Sequence, residues 1–149
     1  MKTTILTLFF LLLTLPVFLS AQGKKALDHA DVMQWKKIEQ PRISNDGKWV
    51  AWVQVLVSDG DPELHLWDGR SEKEVIFPRG TEARFTEDNQ YLVFRIKPAL
   101  DTLKAQRRRK VKDENLPKDT LAIYRLADAT LDKIPNLKNF AVPEKWSGW

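Results

Sequence analysis

Alternating hydrophobic and polar residues occur in two similar stretches of the chain, 42–52 and 84–94, which start 42 positions apart. In each stretch an apolar residue precedes Ser or Thr, an acidic or amide pair and a turn-former follow, and aromatic and aliphatic residues close the unit. This order predicts a strand, a tight turn and a second strand. The predicted turns are occupied by Asp46-Gly47 and Asp88-Asn89, residue types that tolerate positive φ. We interpret the four as structural turn residues.

A further hairpin is predicted between the two repeats. Residues 63–67 and 74–77 have the period of strands and flank a turn rich in Asp, Gly and Ser. A similar hairpin is predicted at 121–134, after a polar and charged insertion at 99–119 that contains no aromatic residue. Each unit then has four strands, and a repeat of about 40 to 45 residues built in this way is typical of β-propeller blades.

The expected fold is all-β: an incomplete β-propeller of about two four-stranded antiparallel blades. Blade one is placed at about 42–94, and blade two at about 84–149 with the basic insertion 99–119 inside it. A third unit is expected to begin near Phe140. Closed propellers have roughly four to eight blades. The chain is therefore interpreted either as the front of a longer protein or as a small β domain that does not close a ring.

Residues 22–41 precede the repeats and are predicted to form a polar leader and a short amphipathic helix. Asp28 is a suitable N-cap, and Lys36 and Lys37 would lie at the C-terminal end, where the helix dipole favours cations. Pro41 would end the helix, because the residue before a proline avoids the helical conformation.

The first 21 residues, 1–21, are predicted to be a secretory signal peptide. Lys2 gives a positive start, residues 5–15 form an uncharged apolar core, and Ala21 offers a small residue for cleavage. The apolar core is shorter than the ~20 residues that span a bilayer. We therefore expect export to the periplasm or the cell exterior, with no stable membrane anchor after cleavage. The chain contains no cysteine, so its stability depends on core packing without disulfides.

The net charge of +4 is concentrated in one segment. Residues 104–118 contain seven Lys or Arg against two acidic residues. Nucleic acid is not an expected partner, because export argues against it and no aromatic residue between 95 and 123 could stack on bases. A solvated loop is the plainer interpretation, and contact with an anionic surface or a partner domain is the alternative. Four consecutive cations form this possible interaction loop: Arg107, Arg108, Arg109 and Lys110.

No catalytic, metal or cofactor site is predicted. None of the serines lies in a Gly-x-Ser-x-Gly motif, and His29 and His65 fit no triad pattern. Asp46 and Asp88 would lie at equivalent, separated turns and would bond their own backbone rather than act together as acid and base. Glu63 shares a predicted strand face with His65, but two ligands are too few for a metal ion.

Several segments resemble the start of secreted prolyl-oligopeptidase-like serine peptidases of Bacteroidetes-type bacteria. They are 25–29, Trp35, 43–51, 78–81, 85–88, 143–145 and 147–149. The resemblance implies an N-terminal propeller above an α/β-hydrolase domain, which restricts access so that peptides rather than folded proteins reach the catalytic serine. The expected partner is then that hydrolase domain, with peptide substrate bound only in the parent enzyme. This chain would be non-catalytic by itself, and the alternative is a free-standing periplasmic propeller-like module that binds a protein or peptide.

Overall fold

The computed structural model describes residues 26–143 and residue 145. The predicted signal peptide, 1–21, lies outside the described residues, as does the start of the predicted leader. No helix within the described ranges is long and apolar enough to cross a membrane. The regular elements of this part of the chain are, in order, α1 (His29–Met33), β1 (Lys36–Ile43), β2 (Trp49–Leu56), β3 (Glu63–Asp68), β4 (Lys73–Pro78), β5 (Gly80–Phe85), β6 (Tyr91–Ile96), α2 (Leu100–Arg108), a 3₁₀-helix (Asp113–Asn115), β7 (Asp119–Arg125) and β8 (Leu131–Leu137).

The strands form two four-stranded antiparallel sheets, in the orders β1-β2-β3-β4 and β5-β6-β7-β8. Within each sheet, consecutive strands pair with each other, so each sheet is a simple meander. This arrangement of four-stranded meanders is that of propeller blades. The expected all-β fold of incomplete propeller type is confirmed.

The sheets are displaced from the blade bounds expected from the sequence. The first sheet spans 36–78 and the second 80–137, whereas the blades were placed at about 42–94 and about 84–149. The bounds differ because β1 begins at Lys36, inside the segment expected to be helical, and because β5 and β6, which were counted in blade one, belong to the second sheet. Arg79, with φ of 64°, lies alone between β4 and β5 and turns the chain from one sheet to the next.

The N-terminal helix is shorter than expected. Its start agrees with the sequence: Asp31 N donates to Asp28 Oδ1 at 2.9 Å, and Asp28 N donates to Asp31 Oδ2 at 3.0 Å, which is a capping box. The helix ends at Met33. The expectation that Lys36 and Lys37 lie at its C-terminal end is wrong, because β1 begins at Lys36 and pairs with β2. The hydrogen bonds gained along eight strand residues replace those of at most one further helical turn.

Pro41 lies inside β1 at an irregularity of the strand. The register with β2 shifts between Glu39 and Arg42, and Gln40 has φ of 52°. A proline is tolerated at such a bulge because the backbone N–H that it lacks is not needed for the ladder. Glu82 of β5 lies 42 positions after Gln40 and also has positive φ, at 55°. The register of β5 with β6 shifts there too. The 42-residue period therefore includes the bulges of the first strand of each sheet.

The core is formed by the two sheets packing face to face. Phe77 of the first sheet lies between two aromatic rings of the second, with its ring centroid 4.7 Å from that of Phe94 and 5.0 Å from that of Tyr124. The cluster is continuous, with few polar atoms, and each sheet contributes only one of its faces to it. Its buried members are Trp49, Ala51, Val53, Leu64, Leu66 and Phe77 from the first sheet, and Ala83, Leu92, Phe94, Ala122 and Tyr124 from the second.

We expect Phe77→Ala to lower the free energy of unfolding by about 3–5 kcal/mol, because it removes the ring that joins the sheets and leaves a cavity. Ile76→Ala is the matched control, since this neighbour on β4 points away from the core and is 48% exposed. Its effect should stay below about 1 kcal/mol. Urea unfolding followed by tryptophan fluorescence measures both variants. Equal losses for the two variants would contradict the placement of the core.

Candidate functional site

The first repeated turn is closed by a compact hydrogen-bond network. The hydroxyl of Ser44 donates to Asp46 Oδ1 at 2.6 Å, and the backbone N–H of Lys48 donates to the same oxygen at 3.2 Å. Trp49 N donates to Ser44 Oγ at 3.0 Å. Gly47 has φ of 70°, a conformation that suits glycine. The carboxylate is thus committed to shaping its own turn.

The second turn repeats this network with related residues. The hydroxyl of Thr86 donates to Asp88 Oδ1 at 2.6 Å, and Gln90 N donates to the same oxygen at 3.0 Å. Tyr91 N donates to Thr86 Oγ1 at 3.1 Å. Asn89 takes the place of Gly47 and has φ of 55°, which asparagine tolerates better than most residues. Each Asp accepts hydrogen bonds from its own turn, and the two carboxylates do not form a joint site.

The hydrogen bond from the Ser44 hydroxyl, followed by that from Lys48, lowers the pKa of Asp46 from 3.8 to about 2. Lys48 Nζ also lies 3.0 Å from Asp46 Oδ2 and forms an ion pair with it. A carboxylate held ionised in this way does not donate a proton near neutral pH. The pKa therefore agrees with a structural role and not with general acid catalysis.

His65 lies on the face of the first sheet that points away from the core and is 7% exposed. Its Nδ1 lies 2.7 Å from Glu74 Oε1, and its ring stacks on Trp52 with centroids 5.2 Å apart. Its Nε2 is 4.0 Å from Glu63 Oε2, an oxygen that accepts a hydrogen bond from Lys36 at 3.0 Å. No group of three or more His, Cys, Asp or Glu that could hold a metal ion occurs among residues 26–143 and 145.

A groove of about 860 Å³ runs along the first strands of the two sheets and is lined by both polar and apolar side chains. Two hydrogen bonds join the two sides of the groove, one between β1 and β5 and one between the turns that follow them. Glu82 N donates to Gln40 Oε1 at 2.9 Å, and Asn45 Nδ2 donates to the carbonyl of Glu87 at 3.2 Å. The groove is lined by Gln40, Arg42, Ile43, Asn45, Glu82, Ala83, Arg84, Phe85, Glu87, Phe140, Ala141, Val142 and Pro143.

The groove places Arg42 and Arg84 at equivalent positions of neighbouring strands, since both bridging hydrogen bonds join residues 42 positions apart. Glu82, in contrast, is engaged by Arg95, whose Nε lies 2.9 Å from its carboxylate. Arg95 also binds Asp119 at 2.6 Å, and this bond is the main reason that the pKa of Arg95 is raised above its ordinary value. The groove thus has exposed guanidinium groups beside a neutralised glutamate.

This groove was not predicted from the sequence. Its residues come from three separate segments, and the strongest signal for it was present in the repeat itself. Alignment by the 42-residue period would have paired Gln40 with Glu82 and Arg42 with Arg84. The expected third unit near Phe140 contributes one wall, although residues 140–143 do not form a strand.

The basic insertion folds as α2, followed by the 3₁₀-helix, and it is attached to the first sheet. Lys104 Nζ lies 3.3 Å from Asp59 Oδ2, and Leu100 N donates to Asp61 Oδ1 at 2.9 Å. The four cations of the possible interaction loop lie at the opposite end of the helix and are all exposed. Arg107 and Arg108 form its last turn, Arg109 is the C-cap, and Lys110 follows with φ of 56°. In the described part of the chain none of these four makes an ion pair.

No protein-family model and no curated protein matches the chain. Two solved structures are similar to it. One is an acylaminoacyl peptidase in complex with Z-Gly-Gly-Phe-chloromethyl ketone, with a TM-score of 0.54 and 11% identity, over 77% of this chain and 16% of that one. The other is the β-propeller domain of the Trilobed protease from Pyrococcus furiosus, with a TM-score of 0.49 and 14% identity, over 71% of this chain and 30% of that one. The chain thus spans less than a third of either structure, and the similarity concerns the fold.

We expect Asp46→Asn to destabilise the protein most at neutral pH. The folded-state pKa of Asp46 is depressed to about 2, so its ionised form contributes stability above 3.8, and that contribution is lost as the pH falls toward 2. The difference in free energy of unfolding between the two proteins should therefore shrink between about pH 6 and about pH 2. Urea unfolding at several pH values measures this difference.

The control for this prediction is Asp132→Asn, which alters an exposed carboxylate on β8 that forms no ion pair with a described residue. Its effect should be small at every pH. A stability difference for Asp46→Asn that does not change across the pH range would refute the assigned role of the carboxylate.

Proposed function

We propose that this chain is the N-terminal propeller portion of an exported prolyl-oligopeptidase-like serine peptidase. In the parent enzyme it would admit peptides to the catalytic serine and exclude folded proteins. The observation that carries the proposal is the pair of consecutive four-stranded sheets whose first strands line a groove. Similarity of fold to an acylaminoacyl peptidase over 77% of the chain supports it. The sequence resemblance to the start of such peptidases supplies the family and the exported context.

The groove suits the passage of an extended peptide. Its volume of about 860 Å³ lies near the upper limit of the range for ligand pockets, roughly 300–1,000 Å³. A folded domain is far too large to fit in it. Guanidinium groups and the side chains of Gln40 and Asn45 offer hydrogen-bond donors to peptide carbonyls, while Phe85 and Phe140 offer apolar contact. Walls of this kind favour unfolded chains over compact ones.

Within the parent, the chain would contribute no catalytic group. Ser44 is buried and its hydroxyl is part of the turn network. The hydroxyls of Ser58 and Ser71 donate to the carbonyl of Met33 and to Asp68 Oδ2, both at 2.8 Å. None of these three hydroxyls donates to a histidine, the base of a Ser-His-Asp triad. The nucleophile is proposed to lie in the α/β-hydrolase domain.

The interaction loop at the end of α2 is proposed to contact an acidic surface of that hydrolase domain. Its four cations are exposed and unpaired in the described residues, while the other end of the helix is tied to the first sheet through Asp59 and Asp61. A helix fixed at one end holds its charged end at a defined position. This arrangement favours a structured contact over a solvated loop.

A free-standing periplasmic module that binds a protein or peptide is the second candidate. The observation in its favour is the same groove, which does not depend on a hydrolase domain to bind a peptide. The two candidates differ in what the reading frame encodes after codon 149.

The reading frame should continue in the source DNA through further four-stranded units and a Gly-x-Ser-x-Gly motif. The full-length product should hydrolyse short proline-containing peptides and leave folded proteins intact, whereas the present chain alone should hydrolyse neither. Sequencing downstream of codon 149 and a fluorogenic peptide assay provide the measurements. A stop codon at that position would favour the free-standing module, and hydrolysis by the chain alone would disprove its non-catalytic role.

Replacing Arg107, Arg108, Arg109 and Lys110 together with Ser should lower the thermal unfolding midpoint of the full-length parent by roughly 2–4 °C at low salt, since it removes ion pairs to the hydrolase domain. High salt should weaken the effect because exposed ion pairs are screened. The control replaces four exposed lysines outside the insertion that form no ion pair with a described residue: Lys73, Lys133, Lys138 and Lys145, each to Ser. The same decrease in both proteins, or no decrease in either, would contradict the contact.

A further inference from the structure

A second cavity, of about 340 Å³, lies where the insertion meets the second sheet and the corner between the sheets at Arg79. Its polar lining consists of four cationic side chains and two hydroxyl groups, and the rest of its lining is apolar. No carboxylate lines it. The six polar residues are Arg79, Lys97, Lys118, Lys133, Thr102 and Thr120.

The charge of this cavity is not neutralised by the protein around it. Arg79, Lys97 and Lys133 make no ion pair with any residue of 26–143 or with residue 145. Among the described residues, Lys118 Nζ has as its one partner the backbone carbonyl of Asp113, at 3.4 Å. Lys104, on the same insertion, is paired with a carboxylate. Like charges gathered around one cavity repel each other, and a bound anion would remove this cost.

The fold assembles these cations from distant parts of the chain. Arg79 lies at the corner between the sheets, where its N–H donates to the carbonyl of Pro62 at 2.7 Å and its carbonyl accepts from Lys97 N at 3.0 Å. These bonds fix the backbones of the two cations next to each other. Lys118 precedes β7, and Lys133 comes from β8. The cluster is therefore a product of the tertiary structure and is separate from the consecutive cations at the end of α2.

We propose that this cavity binds a tetrahedral oxyanion, the phosphate or sulfate group of a small anion or of a phospholipid headgroup. Such a group has several acceptor oxygens, which suits a site with ammonium, guanidinium and hydroxyl donors and no acceptor carboxylate. Arg79 offers a planar pair of donors for two oxygens, and the lysines act as point charges around the others. The assignment does not depend on the proposed peptidase function.

Inorganic phosphate and inorganic sulfate are the probes for the test, added to the full chain at constant ionic strength and followed by isothermal titration calorimetry. Lys97→Gln combined with Lys133→Gln should weaken binding of the preferred anion about tenfold or more, because two charged donors are lost. Lys73→Gln combined with Lys138→Gln is the control, since it makes the same change in net charge at exposed positions outside the cavity. Both double variants alter exposed side chains, and unchanged unfolding midpoints without anion will show that they fold.

Vesicles of phosphatidylcholine with and without phosphatidic acid form the second arm of the test. Saturable binding of free phosphate or sulfate that is lost only in the cavity variant supports a site for small anions. Binding only to vesicles that contain phosphatidic acid, lost in the same variant, supports a headgroup site. Equal weakening in both double variants would reduce the result to general charge attraction and overturn the proposal, as would the absence of binding to every probe.

Discussion

The packing of one sheet face on the other is the contact on which the rest of the structure depends. Each sheet contributes one face to this interface, where the ring of Phe77 contacts those of Phe94 and Tyr124. A single sheet would expose its apolar face to water, and stacking removes that face from solvent. The groove lies along the first strands at one margin of this interface, and the cationic cavity lies beneath the insertion at the strand ends opposite the Asp turns. The groove, which is lined by strands of both sheets, therefore exists only because the sheets are stacked.

Local features of this fold were predictable because they depend on residues that are adjacent in the sequence. Asp46-Gly47 and Asp88-Asn89 specify turns through side-chain bonds to atoms two residues away, and the alternating segments after them specify strands. Helix length was not predictable in the same way. Lys36 and Lys37 suit a helix end on composition, but pairing with β2 takes them into a strand. The blade bounds differed from the predicted ones for a related reason. Alternating residues identify strands but do not show which strands pair in one sheet.

The groove and the cavity could not be read from local pattern because their residues meet only in three dimensions. Arg79 and Lys133, for example, line the same cavity although Arg79 lies between β4 and β5 and Lys133 lies on β8. The charge run that dominates the sequence, Arg107 to Lys110, lies elsewhere and at the surface. The repeat indicates more than the positions of the turns. Residues 42 positions apart form hydrogen bonds with each other along the groove, as Gln40 and Glu82 do.

Comparison of the two sheets separates features that build a sheet from features that serve this protein. Both sheets have an Asp turn, a bulge in the first strand, and an arginine over the first aromatic residue of the second strand. Arg70 lies 5.7 Å from the centre of the Trp49 ring, and Arg125 lies 5.8 Å from that of the Tyr91 ring. The two arginines come from different positions, so the contact is kept while the residue that makes it changes. Such duplicated features are what any blade of this type needs. The insertion occurs between β6 and β7 only, where the first sheet has a short loop at residues 57–62. It creates both the cationic cavity and the exposed end of α2, and a feature that one unit has and its neighbour lacks is where binding specific to this protein should be sought.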